Sequence, residues 1–374
     1  MPPRRGLRLL VTVTFNENQL RAHLLPLVSL TEVESVVLVT DEHPSALPKV
    51  TTIVPPRWLQ RLVGRAAAKF IICLVVARRV RPDWVIGFNL VPHGLNAIAV
   101  AAMVRTRSLY EMIGGDREWL GGGWDSDNSI LGKLPRPSAT VERFLLARIR
   151  RSTAVVVMGE RGRQALLDRG VRSDRIHIVP PAVDVDRFTS DGRPTPELDI
   201  VTVGALLPNK RTTDLLHAAA LIHPEHPELR VAVAGGGPLL AELRDLVRTL
   251  KLEAAVELCG FRAEVATLYR SARIFTLTSA YEGLSVALLE AMASGVVPVV
   301  YDVGELSTVV RDGETGRVVP FGDVERLSEV LSELLDDSEQ QKMLAAAAVA
   351  EARRYASVAV VARTYGHIVA STNG

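Results

Sequence analysis

Short β-branched runs alternate with longer amphipathic stretches along the whole chain, and this alternation constrains the fold more than any other feature. In the first half the strand-like runs are Arg8–Phe15, Val36–Thr40, Trp84–Phe88, Ser108–Ile113, Ala154–Met158 and Ile176–Val179. In the second they are Asp199–Gly204, Val231–Ala234, Val256–Leu258, Ile274–Leu277 and Val297–Tyr301. Most are apolar on both alternating faces, as strands covered by helices on either side are, so the expected class is α/β with parallel sheets. The stretches between read as helices. Leu239–Leu250 carries Leu239, Leu243, Leu246, Val247 and Leu250 at i, i+3 and i+4 steps, and Val324–Leu335 lines up Leu327, Val330, Leu331 and Leu334. A chain of 374 residues fills two domains, and the polar Gly/Pro stretch Phe188–Glu197 is the natural hinge. The expected division is residues 1–190 and 191–354, each doubly wound, with ligands received at the carboxyl ends of the strands in the cleft between them.

Composition removes several alternatives. The longest apolar run, Phe70–Ala77, is eight residues and too short to span a bilayer. The first residues run into a strand pattern without a cleavage site, and the two cysteines, Cys73 and Cys259, lie far apart in sequence; a cytoplasmic protein without a disulfide scaffold is expected. Residues 1–180 hold 26 Lys and Arg against 15 Asp and Glu, a balance of +11, so the remainder carries −9 within a chain total of +2. The basic half favours an anionic partner. Arg57, Arg61, Arg65 and Lys69 recur at i+4 steps beside Trp58, Leu59, Leu62 and Val63. That pattern suits either a basic amphipathic helix on an anionic membrane or a core-packed helix with a solvated cationic edge. Peripheral contact at the inner face of the membrane is the expectation; aromatic interleaving is too sparse for nucleic acid.

The most informative segment is Thr278-Ser-Ala-Tyr-Glu-Gly-Leu-Ser-Val-Ala-Leu-Leu-Glu-Ala-Met-Ala-Ser-Gly295. It follows a strand and opens a helix of good formers ending at Gly295. Glu282 falls in the turn and Glu290 on the helix. The amides of Leu284, Ser285 and Val286 then stand at a helix N-terminus, the natural seat for a phosphate. A carboxylate at the turn can accept hydrogen bonds from sugar hydroxyls, and one inside the helix can reach a ribose.

Within that frame, two glutamates separated by seven residues resemble the motif of the retaining glycosyltransferases of family four. Val203-Gly204-Ala-Leu-Leu-Pro-Asn-Lys210, Ala234-Gly-Gly-Gly-Pro238, Gly260-Phe261-Arg262 and Leu268–Phe275 are similar to other turns of that family, in order. Val179–Phe188 is similar to its interdomain connection. The resemblance implies the GT-B fold of two facing Rossmann-like domains, with residues 355–374 crossing back to the first. It also implies a nucleotide-sugar donor held by Gly204, Lys210, Arg211, Gly235, Gly260, Phe261, Arg262, Glu282, Gly283, Leu284, Ser285, Val286 and Glu290. Glu282 would meet the sugar, Glu290 the ribose, and Lys210 the diphosphate charge as it departs. The family commonly has Arg after the first glycine, where this chain has Ala205; Arg211 or an arginine of the first half is the substitute.

In the first half the acceptor candidates are Asn16, His93, Gly114, Gly115, Trp119 and Trp124. His93 follows the strand Trp84–Phe88 and reads either as a phosphate contact or as a loop histidine. Many family members carry His-Gly after the next strand, where this chain has Ile113-Gly-Gly-Asp116, so Asp116 or Glu111 is the candidate to assist acceptor deprotonation. Trp119 and Trp124, in a glycine-rich loop, could stack on a sugar face or pack beneath the loop. Asp125-Ser-Asp127 and Asp184-Val-Asp186 read as turn aspartates, and neither a metal nor another cofactor is expected.

The resulting expectation is a retaining hexosyltransferase, with Glu282, Lys210, Asp116 and His93 as catalytic candidates. It would move a sugar from a UDP donor, or alternatively GDP, to a saccharide or lipid-linked acceptor in polysaccharide or envelope glycan assembly. A nucleotide-binding subunit supporting a partner transferase and a GT-B sugar-nucleotide epimerase are the alternatives. A dehydrogenase is disfavoured because Ala234–Pro238 lacks dinucleotide spacing.

Overall fold

The computed structural model describes residues 6–120, 131–133, 136–192 and 195–371. It divides into two compact units, Met1–Ala182 with Val358–Gly374, and Val183–Ser357. The chain passes between them twice, before the polar stretch Phe188–Glu197 and again at Ser357. Val183 and Ser357 pair as an isolated parallel bridge, so both crossings are tied at one point.

Among the described residues, seven parallel strands form the sheet of the first unit. They are β1 (Leu7–Thr12), β2 (Val33–Val39), β3 (Val50–Ile53), β4 (Trp84–Phe88), β5 (Arg107–Glu111), β6 (Ala154–Val157) and β7 (Ile176–Ile178). Their order is β3-β2-β1-β4-β5-β6-β7. Alternate residues of β1 serve opposite layers, as strand geometry requires. Leu9 and Val11 pack with Leu20, Leu24 and Leu27 of the helix Glu17–Ser29 and with Val361, Tyr365 and Ile368 of the helix Val358–Ser371. Leu10 packs on the other face with Cys73, Ala77 and Val100.

The second unit holds six parallel strands: β8 (Leu198–Val203), β9 (Val231–Ala234), β10 (Val256–Gly260), β11 (Ala272–Leu277), β12 (Val297–Tyr301) and β13 (Arg317–Val319), in the order β10-β9-β8-β11-β12-β13. β3 and β13 are absent from the apolar-run reading. Both are short edge strands: β3 is part-exposed Val-Thr-Thr-Ile and β13 only three residues, so neither shows a buried pattern. In each sheet the strand order reverses beside its first strand, between β1 and β4 and between β8 and β11. The crevice outside the carboxyl ends at such a switch point is where open α/β sheets receive ligands. The loops there are Val13–Phe15 and Asn89–Gly94 in the first unit, and Gly204–Arg211 and Thr278–Ser285 in the second.

Candidate active site

In the second unit the loops after β8 and β11 are sewn together. The Thr278 hydroxyl donates to the carbonyls of Lys210 and Arg211 at 3.1 and 3.0 Å, and the Ala280 amide donates to the Asn209 carbonyl at 2.7 Å. This seam brings Lys210 against Glu282, seventy-two positions later in sequence: Lys210 Nζ donates to Glu282 Oε1, which also accepts from Ser279 Oγ at 2.7 Å. Both side chains remain part-exposed, so the pair borders open space rather than the core. Gly304, which sequence reasoning missed, completes the turn. It has φ +52°, and a Cβ there would lie 1.8 Å from the Glu282 carbonyl oxygen. The Glu305 amide then donates to the Gly283 carbonyl. Ser285 caps the helix Val286–Ala293 through the Leu288 amide, which orients the helix start with its first-turn amides toward this turn.

Glu290 sits one turn into that helix, 4% exposed. Burial pushes its carboxyl up to about 8, against the opposing charge of Arg187 and the hydroxyl of Tyr269. The Tyr269 bond is long, at 3.4 Å. Tyr269 and Arg187 were not among the sequence candidates, and each acts on Glu290 from a distant segment.

The other turns of this unit are stitched into one rim. The Gly204 amide donates to Ala234 and the Gly235 amide to Gly260, and a Cβ on Gly235 would fall 1.8 Å from the Gly204 carbonyl oxygen. Gly235 is therefore required by close backbone approach. Phe261 projects from the rim, 78% exposed, and Arg262 beside it lies 3.6 Å from Glu257. Arg211, the substitute for the missing arginine at Ala205, is engaged elsewhere: its Nε donates to Asp214 at 2.8 Å and its guanidinium lies over Phe321. Asp214 also accepts from Tyr301 at 3.0 Å. Of the two cations in this turn, Lys210 faces Glu282 and Arg211 braces the helix that follows.

The first unit corrects several expectations. His93 is buried, its Nδ1 3.1 Å from Thr12 Oγ1 and its Nε2 3.1 Å from Thr14 Oγ1. Burial, with the charge of Lys69 nearby, pushes it down to about 3, so it is neutral and closed on both nitrogens rather than a direct phosphate or catalytic contact. Thr14 donates to Asp41 at 2.6 Å and accepts from Lys69 at 2.5 Å, and Lys69 also meets Asp41 at 2.6 Å. Thr14 itself is exposed. Thr12, Thr14 and Asp41 escaped the sequence reading, although each is the last residue of a strand or stands just past one, where ligand contacts gather. By spacing Lys69 belongs to the cationic row of Arg57, Arg61 and Arg65. A break at Gly64, with φ +82°, ends one helix and starts another, and Lys69 turns inward, 3% exposed.

The glycine-rich loop is also closed. Glu118, buried in the short 3-10 helix Gly115–Trp119, accepts from the amides of Leu90, Ile113 and Gly114, each at 2.6 Å, and from the Tyr110 hydroxyl at 2.7 Å. The Gly114 amide is thus spent inside the loop, and Gly115 supplies its turn with φ +73°. Trp119 is 1% exposed among Leu90, Tyr110 and Met112, so it packs beneath the loop instead of stacking on a sugar. Glu111 is no acceptor base either: it is fully buried, bonded to His23 Nδ1 at 2.7 Å and to the Tyr365 hydroxyl. Asn16 caps the helix Glu17–Ser29 through the Gln19 amide. Trp124, Asp125 and Asp127 lie outside the described residues, as does the side chain of Asp116. Asp184 accepts from the Arg187 amide at 3.3 Å, which makes it a turn residue. Among the described residues no helix is long and apolar enough to cross a membrane.

Residues 33–187 match the family model described as Glycosyltransferase Family 4, and residues 186–350 that described as Glycosyl transferases group 1. An exopolysaccharide phosphotransferase of Streptomyces coelicolor is 35% identical over 199 residues, 52% of this chain and 21% of its own length. The MMP alpha-(1->4)-mannosyltransferase of Mycolicibacterium hassiacum is 35% identical over 189 residues, 48% of this chain and 44% of its own. The chain therefore spans less than half the length of either relative. The crystal structure of Anabaena HepE in complex with UDP and glucose superimposes with a TM-score of 0.77 at 16% identity, covering 98% of this chain and 100% of that one. That likeness fixes the fold as GT-B, two Rossmann-like parallel-sheet domains.

Proposed function

We propose, for a chain whose two domains are those of a group 1, family four glycosyltransferase, that it transfers a hexosyl group from a UDP-sugar to an acceptor hydroxyl with retention of anomeric configuration. The observation that carries this reading is the Lys210–Glu282 pair, held part-exposed at the switch point beside the start of the helix Val286–Ala293. The amides of Leu284, Ser285 and Val286 would receive the diphosphate. Lys210 would turn from Glu282 to the leaving phosphate as charge develops there, and preorganised charge of this kind is worth about 10²–10³ in rate. Glu282 then accepts from the sugar hydroxyls and Glu290 from the ribose, while exposed Phe261 offers a face to the base.

In the reaction the bond from the sugar anomeric carbon to the phosphate oxygen breaks as the acceptor oxygen bonds to the same face. The departing phosphate oxygen takes the acceptor proton, so no protein base is needed, which accords with the closed state of His93 and Glu111. No obligatory metal is proposed, because Lys210 supplies the cation. UDP is favoured over GDP because HepE is described with UDP and glucose. The acceptor is taken to be a saccharide, lipid-linked in envelope or polysaccharide assembly; the relatives are described as an exopolysaccharide phosphotransferase and a mannosyltransferase. One observation favours a second reading, a donor-binding subunit of a partner transferase: with Ala205 in place of arginine and Arg211 held by Asp214, the turn offers one cation to a diphosphate.

The test is product analysis. The chain is incubated with UDP-hexoses and saccharide acceptors without metal, UDP release is followed, and the anomeric proton coupling of the product is read by NMR. An axial donor giving an axial product, lost in Lys210→Ala, is expected. An inverted product would overturn the retaining mechanism, and UDP-sugar binding without turnover would favour the subunit reading.

A further inference from the structure

The helix Arg57–Val63 of the first unit is anchored by a single buried side chain, Leu59. Trp58 and Leu62, one turn apart, stand 66% and 74% exposed. A tryptophan and a leucine side by side in water on one helix are costly unless something covers them, and such patches mark interaction surfaces. The next stripe of the same segment is cationic. Arg57, Arg61 and Arg65, with Gln60, line an open pocket of about 420 Å³. No carboxylate lines it, and among the described residues the three guanidiniums form no ion pair. Of the stripe, Leu59 alone is buried while Trp58 and Leu62 stand exposed, which departs from the core-packed alternative, and Lys69 has left the cationic row for Asp41.

A protein partner would be expected to meet an apolar patch with apolar area of its own and a polar rim. Here an aromatic side chain and a leucine lie directly beside unpaired guanidiniums on a short helix at the surface. That arrangement matches the boundary of a bilayer, where indole rings sit at headgroup level, leucine reaches the acyl chains and arginines hold phosphates. The charge of the whole N-terminal half, +11 over residues 1–180, would add long-range attraction to an anionic leaflet.

We infer that the face formed by Trp58, Leu62, Arg57, Arg61 and Arg65 docks on an anionic phospholipid surface, one lipid phosphate entering the arginine-lined pocket. This inference does not rest on the transferase reading, because it concerns a different surface and its test needs no donor.

The test is flotation of the full chain with large unilamellar vesicles of phosphatidylcholine alone or with about one-third phosphatidylglycerol. Binding to the anionic vesicles only is expected, weakening as salt is raised. Trp58→Ser with Leu62→Ser should lower the partition coefficient at least about tenfold at fixed salt, and Arg57→Ala with Arg61→Ala and Arg65→Ala should lower it comparably and flatten its salt dependence. Unchanged melting temperature and UDP affinity in both variants show that the fold is intact. Equal partition of wild type and variants would overturn the proposal, as would equal binding to neutral vesicles. So would a wild-type dimer in solution that Trp58→Ser converts to monomer, because the face would then meet a second copy. Binding of inorganic phosphate that the arginine variant loses, without vesicle binding, would also overturn it.

Discussion

Three buried glutamates show how differently the two units use a carboxylate. In the first unit Glu118 accepts four hydrogen bonds and Glu111 is held by His23 and Tyr365, so both are engaged within the fold. In the second, Glu290 has one long bond to Tyr269 and a carboxyl pushed up to about 8 by burial. Buried polar groups are normally satisfied, and one left short of partners is expected where a ligand completes it. The first pair supports architecture: Glu118 closes the glycine-rich loop, and Glu111 ties β5 to the helix Val358–Ser371. The contrast teaches that burial alone does not mark a functional acid. A buried carboxyl held by one long bond beside a switch-point turn is the one to test.

The largest effect that would sharpen this contrast is catalytic. Lys210→Ala or Glu282→Ala should lower transfer by about 10²–10³ with little change in melting temperature, because both side chains are part-exposed and their pairing is not a core contact. A large loss of stability would place them with the structural glutamates instead. Glu118→Leu should cost about 3 kcal/mol or more in denaturant unfolding, since three amides and a hydroxyl lose their acceptor in a buried loop.

Glu290 predicts a pH dependence of the opposite kind. Its folded pKa lies above the unfolded value of about 4.5, so the fold favours the protonated acid. Its contribution is fully present below about pH 4.5, declines as pH rises toward 8 and is level above, a loss of at most a few kcal/mol. Glu290→Gln, neutral throughout, should flatten the unfolding free energy across that window; an unchanged slope would mean that Glu290 is better solvated than its burial indicates. Smallest of these is Tyr365→Phe, which should cost about 1.5–3 kcal/mol by removing a hydroxyl donor from buried Glu111.

Much of this was legible in the sequence. Apolar runs matched all described strands except the two short edges, and the turns around Lys210, Gly235 and Glu282 stand at the carboxyl ends of β8, β9 and β11. Contacts between distant segments were not legible. Nothing in the local pattern says that Thr278 pins the Lys210 loop, that Gly304 must lack a Cβ because Glu282 passes beside it, or that Tyr365 reaches Glu111. Trp119 and His93 show the converse. Each stands in a loop after a strand, where exposure is the ordinary expectation, and each turns inward: Trp119 packs among Leu90, Tyr110 and Met112, and His93 is bonded by Thr12 and Thr14. Lys69 shares its i+4 spacing with three exposed arginines; the turn at Gly64 sets Arg57 and Arg61 on another helix, and within its own helix Lys69 differs from Arg65 in reaching Asp41 and Thr14.

The central claim, that the second unit carries a nucleotide-sugar site built on Lys210, Glu282 and Glu290, is tested most directly by calorimetry without added metal. UDP, GDP and ADP are titrated into the wild-type chain and into Lys210→Ala and Glu290→Ala. UDP should bind selectively, with affinity reduced at least about tenfold in each variant. Binding of no nucleotide, or UDP binding that both variants keep undiminished, would contradict the account.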